Sequence, residues 1–549
     1  MSIHQATRRY DIVVAFASTK SYIWKGVMAT LLLIFFGCAT APPVPVTIKH
    51  QRTPSLRDAA MPNEQPRKES AAISSGAAQS AAMPNGQSRK EPPDMSIAAL
   101  VELLKKKNVI SAAEGDRIIT QSENQAAIEK QSIQYQVKSE VQEELPNEIE
   151  KEKTEVASAI PEWTKRFRFS GDIRLRYQDN FYNSNNAAFA EPSNPSQLLN
   201  TTINQDFYYY RVRFGPEIAV NDQLKAVIVT STGNTSTPIS TNQIMGTYLN
   251  KGNVTFDLAY LQWQPAGDFL TVWGGRMPNP WFSSVLVWAR DLNFEGLALT
   301  VKKPVTKTLT PFLTLGAFPL QTDAFSHNKW LYAGQLGLET QSRQGIAAKV
   351  GVAYYYYNNV TGIKNNPLDP GATDWTAPLY QQKGNTLFNI SATPNTILTA
   401  LAAEFKELNV TGTLDIGFWD PYHILLLGNY VNNLGFNLSD VIQNTGNQNQ
   451  TKDVIGYQIG MSVGYPAIKD FGQWQVHFDY RSIDGDAVVD AFNDSDFHLG
   501  GTNAKGWTLQ GDAGLLKNVW FTIRWMTAQE INGPPLTIDV LQMDLNARF

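Results

Sequence analysis

The sequence predicts an all-β fold, a closed 16-stranded antiparallel transmembrane β-barrel preceded by a helical and low-complexity extension. Three observations carry that prediction. From Phe167 onward, apolar side chains recur at every second residue. The joins between these alternating runs are long and short in turn. The first 38 residues hold a short apolar core behind two lysines, the pattern of an export signal.

Residues 1–38 read as a signal peptide. Lys20 and Lys25 precede "GVMATLLLIFFGC", which falls short of the roughly 20 apolar residues of a spanning helix. Cys38 is the chain's single cysteine. Preceded by Gly37, it stands where a bacterial lipoprotein signal places its lipidated residue. Phe35 and Phe36 depart from that signal, and the rival cleavage after "ATA" would leave Pro42 first. A single cysteine excludes an internal disulfide, a zinc cluster and a CxxCH haem site. The six histidines show no metal-binding spacing, so no cofactor or metal is expected.

Residues 39–93 are rich in Ala, Pro, Ser and Gln and contain a near-duplicate, Ala59–Glu69 and Ala81–Glu91. Such composition cannot bury a core, which predicts a flexible tether. Residues 94–160 read as a periplasmic helical segment. Ile97, Leu100, Val101, Leu104 and Val109 keep helical spacing, Asn108 interrupts it, and Ser111 with Glu114 forms a capping-box pattern. The stretch that follows, through Leu145, reads as a further helix without a clean heptad. It reads as a solvated helical linker, with a coiled coil as the alternative.

The barrel is assigned to residues 163–549. In "FRFSGDIRLRYQ", Phe167, Phe169, Ile173, Leu175 and Tyr177 point one way, and Arg168, Asp172, Arg174 and Arg176 the other. The same alternation marks strands at 167–178, 207–220, 223–233, 253–264, 269–276, 293–302, 310–319, 330–341, 345–357, 407–418, 422–432, 454–465, 471–482, 504–514, 519–527 and 537–549. The runs at 223–233 and 310–319 are weakly patterned. Apolar faces are bulky and often begin or end in Tyr, Trp or Phe, as interfacial girdles do. Short joins such as "ND", "PAGD" and "DPY" alternate with long ones such as 179–206, 358–406 and 483–503. One rim of tight turns and one of long loops marks an outer-membrane barrel, with the turns periplasmic.

Hydrocarbon offers no hydrogen bonds, so a sheet inside it must close and leave no edge. The polar faces then enclose a wet lumen, because about sixteen strands leave more room than side chains fill. The last run sets Leu541, Met543, Leu545, Ala547 and Phe549 against Gln542, Asp544, Asn546 and Arg548, and is expected to pair with the first. A formal net charge of -4 with 17% charged residues gives no sign of a nucleic-acid partner.

"FSGDIRLRYQ", "YYYRVRFGPEIAVND" and "GGRMPNPWFSSVLVWARDLNFEGLAL" resemble the putative-porin family of Gram-negative outer membranes, related to the general and phosphate-selective porins. "ALVELLKKKNVISAAEGDRI" is similar to the segment that precedes the barrel in that family. The resemblance covers roughly residues 95–549. It implies a passive diffusion channel for small hydrophilic solutes or ions, a homotrimer, and a third external loop that folds inward. The anchor at Cys38 and the duplicated tether depart from the family pattern. Phe549 resembles the terminal signal read by the barrel-assembly machinery.

Alternation places Arg168, Arg174, Arg176, Arg211, Arg213, Arg524 and Arg548 on inward faces of the first two and last two strands, which become neighbours on closure. They form a basic wall interrupted by Asp172, Glu217 and Asp544. Either these charges pair with one another and keep the lumen wet, or they set a slight preference for anions. Interior acids at Asp257, Asp415, Asp479 and Asp512 weaken that preference. The stretch Met277–Leu292 is too apolar for a solvated loop. By the resemblance, Arg290, Asp291 and Glu295 become constriction residues; the plainer alternative has Trp281, Phe282 and Trp288 extend the girdle.

Two other functions compete. A barrel hydrolase, such as an outer-membrane phospholipase, needs Ser and His together on the lipid side, yet His477 falls on the inward face. A sheath for an outer-membrane electron-transfer complex would need cytochrome partners.

Overall fold

The computed structural model describes residues 97–132 and 161–549, apart from 108, 126, 129, 131, 162, 193, 325 and 342–344. Cys38, the export signal and the tether lie outside the described residues. The chain divides into two units, Met1–Glu123 and Asn124–Phe549.

In the first unit, helix α1 spans Ile97–Lys106 and residues 112–123 are helical. Between them the Ser111 hydroxyl and backbone N–H both donate to Glu114 Oε2, at 2.9 and 3.1 Å, and the Glu114 N–H donates back to Ser111 Oγ. This reciprocal cap satisfies orphan donors of the helix start. Lys105 reaches across the turn to Asp116, 2.6 Å away.

The second unit is a closed antiparallel barrel. Its strands are β1 Phe167–Tyr182, β2 Gln205–Ala219, β3 Leu224–Thr232, β4 Val254–Trp263, β5 Leu270–Pro278, β6 Asn293–Lys302, β7 Leu309–Gln321 and β8 Lys329–Gln341. The second half comprises β9 Ile346–Asn358, β10 Lys406–Trp419, β11 Tyr422–Asn433, β12 Ile455–Gly464, β13 Trp474–Ile483, β14 Ala504–Leu516, β15 Val519–Glu530 and β16 Thr537–Arg548. Each pairs with its neighbours in sequence, and β1 also pairs with β16, Leu175 opposite Leu545 and Arg176 opposite Asp544. The two weakly patterned runs are both strands. The joins after β7 and β15, residues 322–328 and 531–536, are as brief as those on the opposite rim.

The alternation has its expected orientation. Leu545 is 41% exposed on the outer wall, and its neighbour Asp544 is 4% exposed on the inner. The outer faces of β12 and β13 carry Tyr457, Ile459, Met461, Val476 and Phe478, while Gln458, Ser462, Asp479 and Arg481 are buried inside. This is a soluble protein turned outside in, stable where hydrocarbon covers the apolar wall. Aromatic clusters mark both rims. Tyr422, Tyr465 and Trp474 pack together at the short-turn end. Trp330, Tyr332 and Tyr356 stack at the long-loop end.

Phe549 completes the seam. Its N–H and C=O exchange hydrogen bonds with Gly171 at 3.0 and 2.9 Å, and its ring stacks on Phe214. A Cβ on Gly171 would come within 2.7 Å of that ring and 2.6 Å of the Arg213 carbonyl. Gly171→Leu is therefore expected to cost about 1–3 kcal/mol through overpacking at the seam. The check is the temperature at which the folded band is lost on unheated gels; an unchanged midpoint would contradict it.

Candidate functional site

Residues 279–292 form the third long loop, loop 3, and it turns into the barrel because its side chains demand burial. Trp281, Leu286, Val287, Trp288 and Leu292 are all buried. The Phe282 N–H donates to Gln335 Oε1 at 2.9 Å, and Gln335 Nε2 donates to the Phe282 carbonyl at 2.8 Å. Ser284 donates to Gln458 on β12 and accepts from Asn429 on β11. These contacts carry the loop from β5 to the far wall. Trp288 sits in a nest of edge-to-face rings, 5.1 Å from Tyr355 and 5.0 Å from Phe294. Trp281 and Trp288, which the plainer alternative assigned to the girdle, join an interior core.

Two further loops fill the same half of the barrel. Loop 5, residues 359–405, buries Ile390, Ala400, Leu401 and Phe405. Loop 7, residues 484–503, buries Ala487, Val488, Val489 and Phe497 against it. Polar pins hold the two together. Thr386 donates to Asp486 through both N–H and hydroxyl, and Asn385 Nδ2 donates to the carbonyls of Gly485 and Val488. His498 lies near Lys383 Nζ, 2.6 Å from Nδ1, and its Nε2 meets the Leu536 carbonyl at 3.0 Å, which fixes Nε2 as the protonated nitrogen. Burial, then the Lys383 charge, hold His498 well below its ordinary value.

Between these loops and the strands of the seam lies a charged cavity of ≈ 340 Å³. Arg174, Arg176, Arg211, Arg213 and Arg524 line it, as does Arg290 from loop 3. Cross-strand register explains their partners. Arg176 faces Asp544 and binds it with two hydrogen bonds, 2.7 and 2.9 Å. Arg174 faces Arg211, a like-charge pair that would repel. Asp172 relieves it by binding Arg211 at 2.8 Å and Arg213 at 2.8 Å. Asp291 approaches the same two arginines at 3.4 and 3.7 Å and accepts from Thr241.

Three residues expected here lie elsewhere. Arg168 is exposed at the short-turn rim, opposite Glu217. Arg548 lies over the Trp520 ring, 5.3 Å from its centre. Glu295 shares the outer side of β6 with Leu297 and pairs with Arg276 at 2.7 Å, so it does not face the lumen. Three residues that the sequence reading left out of the site belong to it. Loop 7 inserts Asp494 and Asp496, which bind Arg481 at 2.8 Å and Arg176 at 3.1 Å. Asp496 also lies 3.5 Å from Arg524.

Ser462, His477 and Asp479 form a hydrogen-bonded chain on the inner wall, 2.8 and 3.0 Å. They sit on paired strands whose backbone N–H groups are engaged in the ladder. The wall thus presents no paired backbone donors for an oxyanion, as acyl transfer requires.

A closed barrel, polar within and apolar without, with an inward third loop, is the geometry of an outer-membrane channel. Residues 130–549 match the model of the family described as Putative porin. The chain belongs to that family. Among solved structures, this porin is similar to OprB of Pseudomonas putida at high pH, with 11% identity, 70% of this chain and 95% of that chain covered, and a TM-score of 0.43. It is also similar to OmpF of Salmonella typhi in complex with daunomycin, with 10% identity, 70% and 97% coverage, and a TM-score of 0.40. The outer-membrane channel DcaP of Acinetobacter baumannii gives 11% identity, 70% and 97% coverage, and a TM-score of 0.38. No curated protein matches the chain significantly. The porin is a non-enzymatic channel of the bacterial outer membrane.

Proposed function

We propose that this porin passes small hydrophilic solutes and ions by passive diffusion through the charged cavity beside loop 3, with a slight preference for anions. The observation that carries the preference is an imbalance. Most charges lining the cavity pair with one another, but Arg174 donates only to neutral Asn242, at 2.5 Å, and Arg290 is exposed with no ion pair among the described residues, whereas on the acidic side Asp512 meets only the neutral Gln510 and Thr522. Two unneutralised cations against one unneutralised carboxylate leave a net positive bias in the passage, which raises the local concentration of anions. Pairing of the remainder keeps the bias small.

The sheath alternative gains no support. Loops 3, 5 and 7 occupy the long-loop half of the interior, where a protein partner would have to sit. The proposal retains a homotrimer in outer-membrane lipid, insertion by the barrel-assembly machinery through Phe549, and a lipidated Cys38.

Reversal potential in a salt gradient across a planar bilayer tests the reading. The wild-type porin should show a modest anion-selective potential. Neutralising Arg174, Arg211 and Arg213 together should move it to the cation side, because Asp172 and Asp291 then lack partners. An unmoved potential would end the anion claim, and absence of conductance would end the diffusion claim.

A further inference from the structure

We propose that Asp494 and Asp496 are a tethered, displaceable counter-ion pair, and that the arginines beneath them form a binding seat for small divalent anions. This rests on the channel reading above. Loop 7 is pinned on both sides of its tip. Gln382 Nε2 donates to the Asp490 and Asn493 carbonyls, Asn493 Nδ2 donates to the Gly501 carbonyl, and Phe497 is buried. The tip between these pins makes a different kind of contact. Its hydrogen bonds beyond the loop run from arginines to the two carboxylates.

Exposure shows which partner can leave. The side chains of Arg176, Arg481 and Arg524 are 2%, 7% and 12% exposed, whereas Asp494 and Asp496 are 20% and 28% exposed. The arginines are built into the wall, and the carboxylates lie over them on the cavity side. The fixed partners are uneven as well. Arg176 retains Asp544 and Arg481 retains Asp479 at 3.7 Å without the loop. Arg524 otherwise meets only the neutral amides of Gln510 and Gln542, both at 2.8 Å. Withdrawal of the tip therefore exposes a guanidinium with no fixed carboxylate, beside unpaired Arg174 and Arg290.

The loop shows what the seat accepts: two negative charges, separated by one residue in the chain, bound by planar guanidinium groups suited to oxyanions and carboxylates. A tethered group competes at an effective concentration in the millimolar range. A free dianion at similar concentration can replace the pair, while a monoanion satisfies only half of the seat.

The test is calorimetric titration of the detergent-purified, full-length porin with sulfate and with malonate, against chloride and acetate as monovalent controls. This readout does not require conduction, so failure of the seat and failure of the channel reading are distinguishable. Asp494→Asn with Asp496→Asn keeps the loop's shape and removes the charge of its tip, and should tighten binding of both dianions about tenfold or more while chloride and acetate change little. Arg524→Gln should abolish the gain. In the wild-type protein, sulfate should lower chloride conductance in bilayers at millimolar levels, a measurement that stands if the double variant fails to fold. Sulfate alone gaining would restrict the seat to compact oxyanions, and malonate alone to dicarboxylates; either supports a divalent seat. Equal tightening of monovalent and divalent anions would overturn the proposal, as would no tightening at all.

Discussion

Trp288→Ala is expected to cost about 3–5 kcal/mol and to release loop 3 from the barrel wall. Trp288 is 2% exposed, and its ring is the hub that joins loop 3 to Phe294 of β6, Tyr355 of β9 and Phe492 of loop 7. Its removal leaves a cavity that cannot collapse, because the surrounding rings belong to strands fixed by their ladders and to a loop pinned to loop 5. The lost packing falls on loop 3 itself, since the barrel hydrogen bonds do not pass through it. Single-channel recordings should therefore show larger, noisier openings, with the folded barrel band retained. Trp288→Phe should restore much of the packing and quieten the trace. A Trp288→Ala channel with wild-type conductance and noise would mean that loop 3 is held by Gln335, Gln458 and Asn429 alone.

Alkaline pH is expected to loosen loop 7. Burial pushes the Asp490 carboxyl up to about 8 and, again as the main cause, the Asp486 carboxyl to about 6. Asp490 Oδ2 has no hydrogen-bond partner. The charged and titratable groups around it are Asp486 on its own loop, Lys383 and Tyr380 on loop 5, and Glu407 on β10, which accepts from the Val489 N–H. With its value raised in the inserted loop, the group favours insertion in its protonated form. Stability of the inserted loop is therefore whole below the ordinary value of 3.8, declines as pH rises toward about 8, and is level beyond it. The decline is about 1.4 kcal/mol per pH unit. His498 acts oppositely, since its inserted form is neutral and acid would oppose insertion below its ordinary 6.5. Conductance recorded at pH 6 and pH 8.5 should show loop-related flicker only at the higher value, and Asp490→Asn should remove the difference. Identical pH profiles for the two proteins would refute the assignment to Asp490.

The strands were legible because alternation is local: each run declares its two faces without reference to any other. Glu295 illustrates the limit of that method. The run 293–302 already placed it on the side of Leu297, and only the analogy with an inward loop drew it into the lumen. Loop 7 was not legible. Asp496 meets Arg176 across 320 positions of sequence, and a stretch that buries Val488 beside Asp490 has no period to read. The loop contacts follow from which walls happen to face each other after closure, information that no single segment holds. For the same reason alternation could set the arginines on neighbouring strands, while their degree of neutralisation depends on carboxylates from elsewhere, Asp496 of loop 7 among them.

The seam has a consequence for how the chain comes into being. Arg176 and Asp544, which lock β1 to β16, are 368 positions apart, so the first strand emerges long before its second neighbour exists. Throughout that interval it offers an unpaired edge, an invitation to mispairing. Contacts of such separation form slowly. A chaperone that shields the leading strand during transit, then yields it when the trailing one arrives, would suit this order of events.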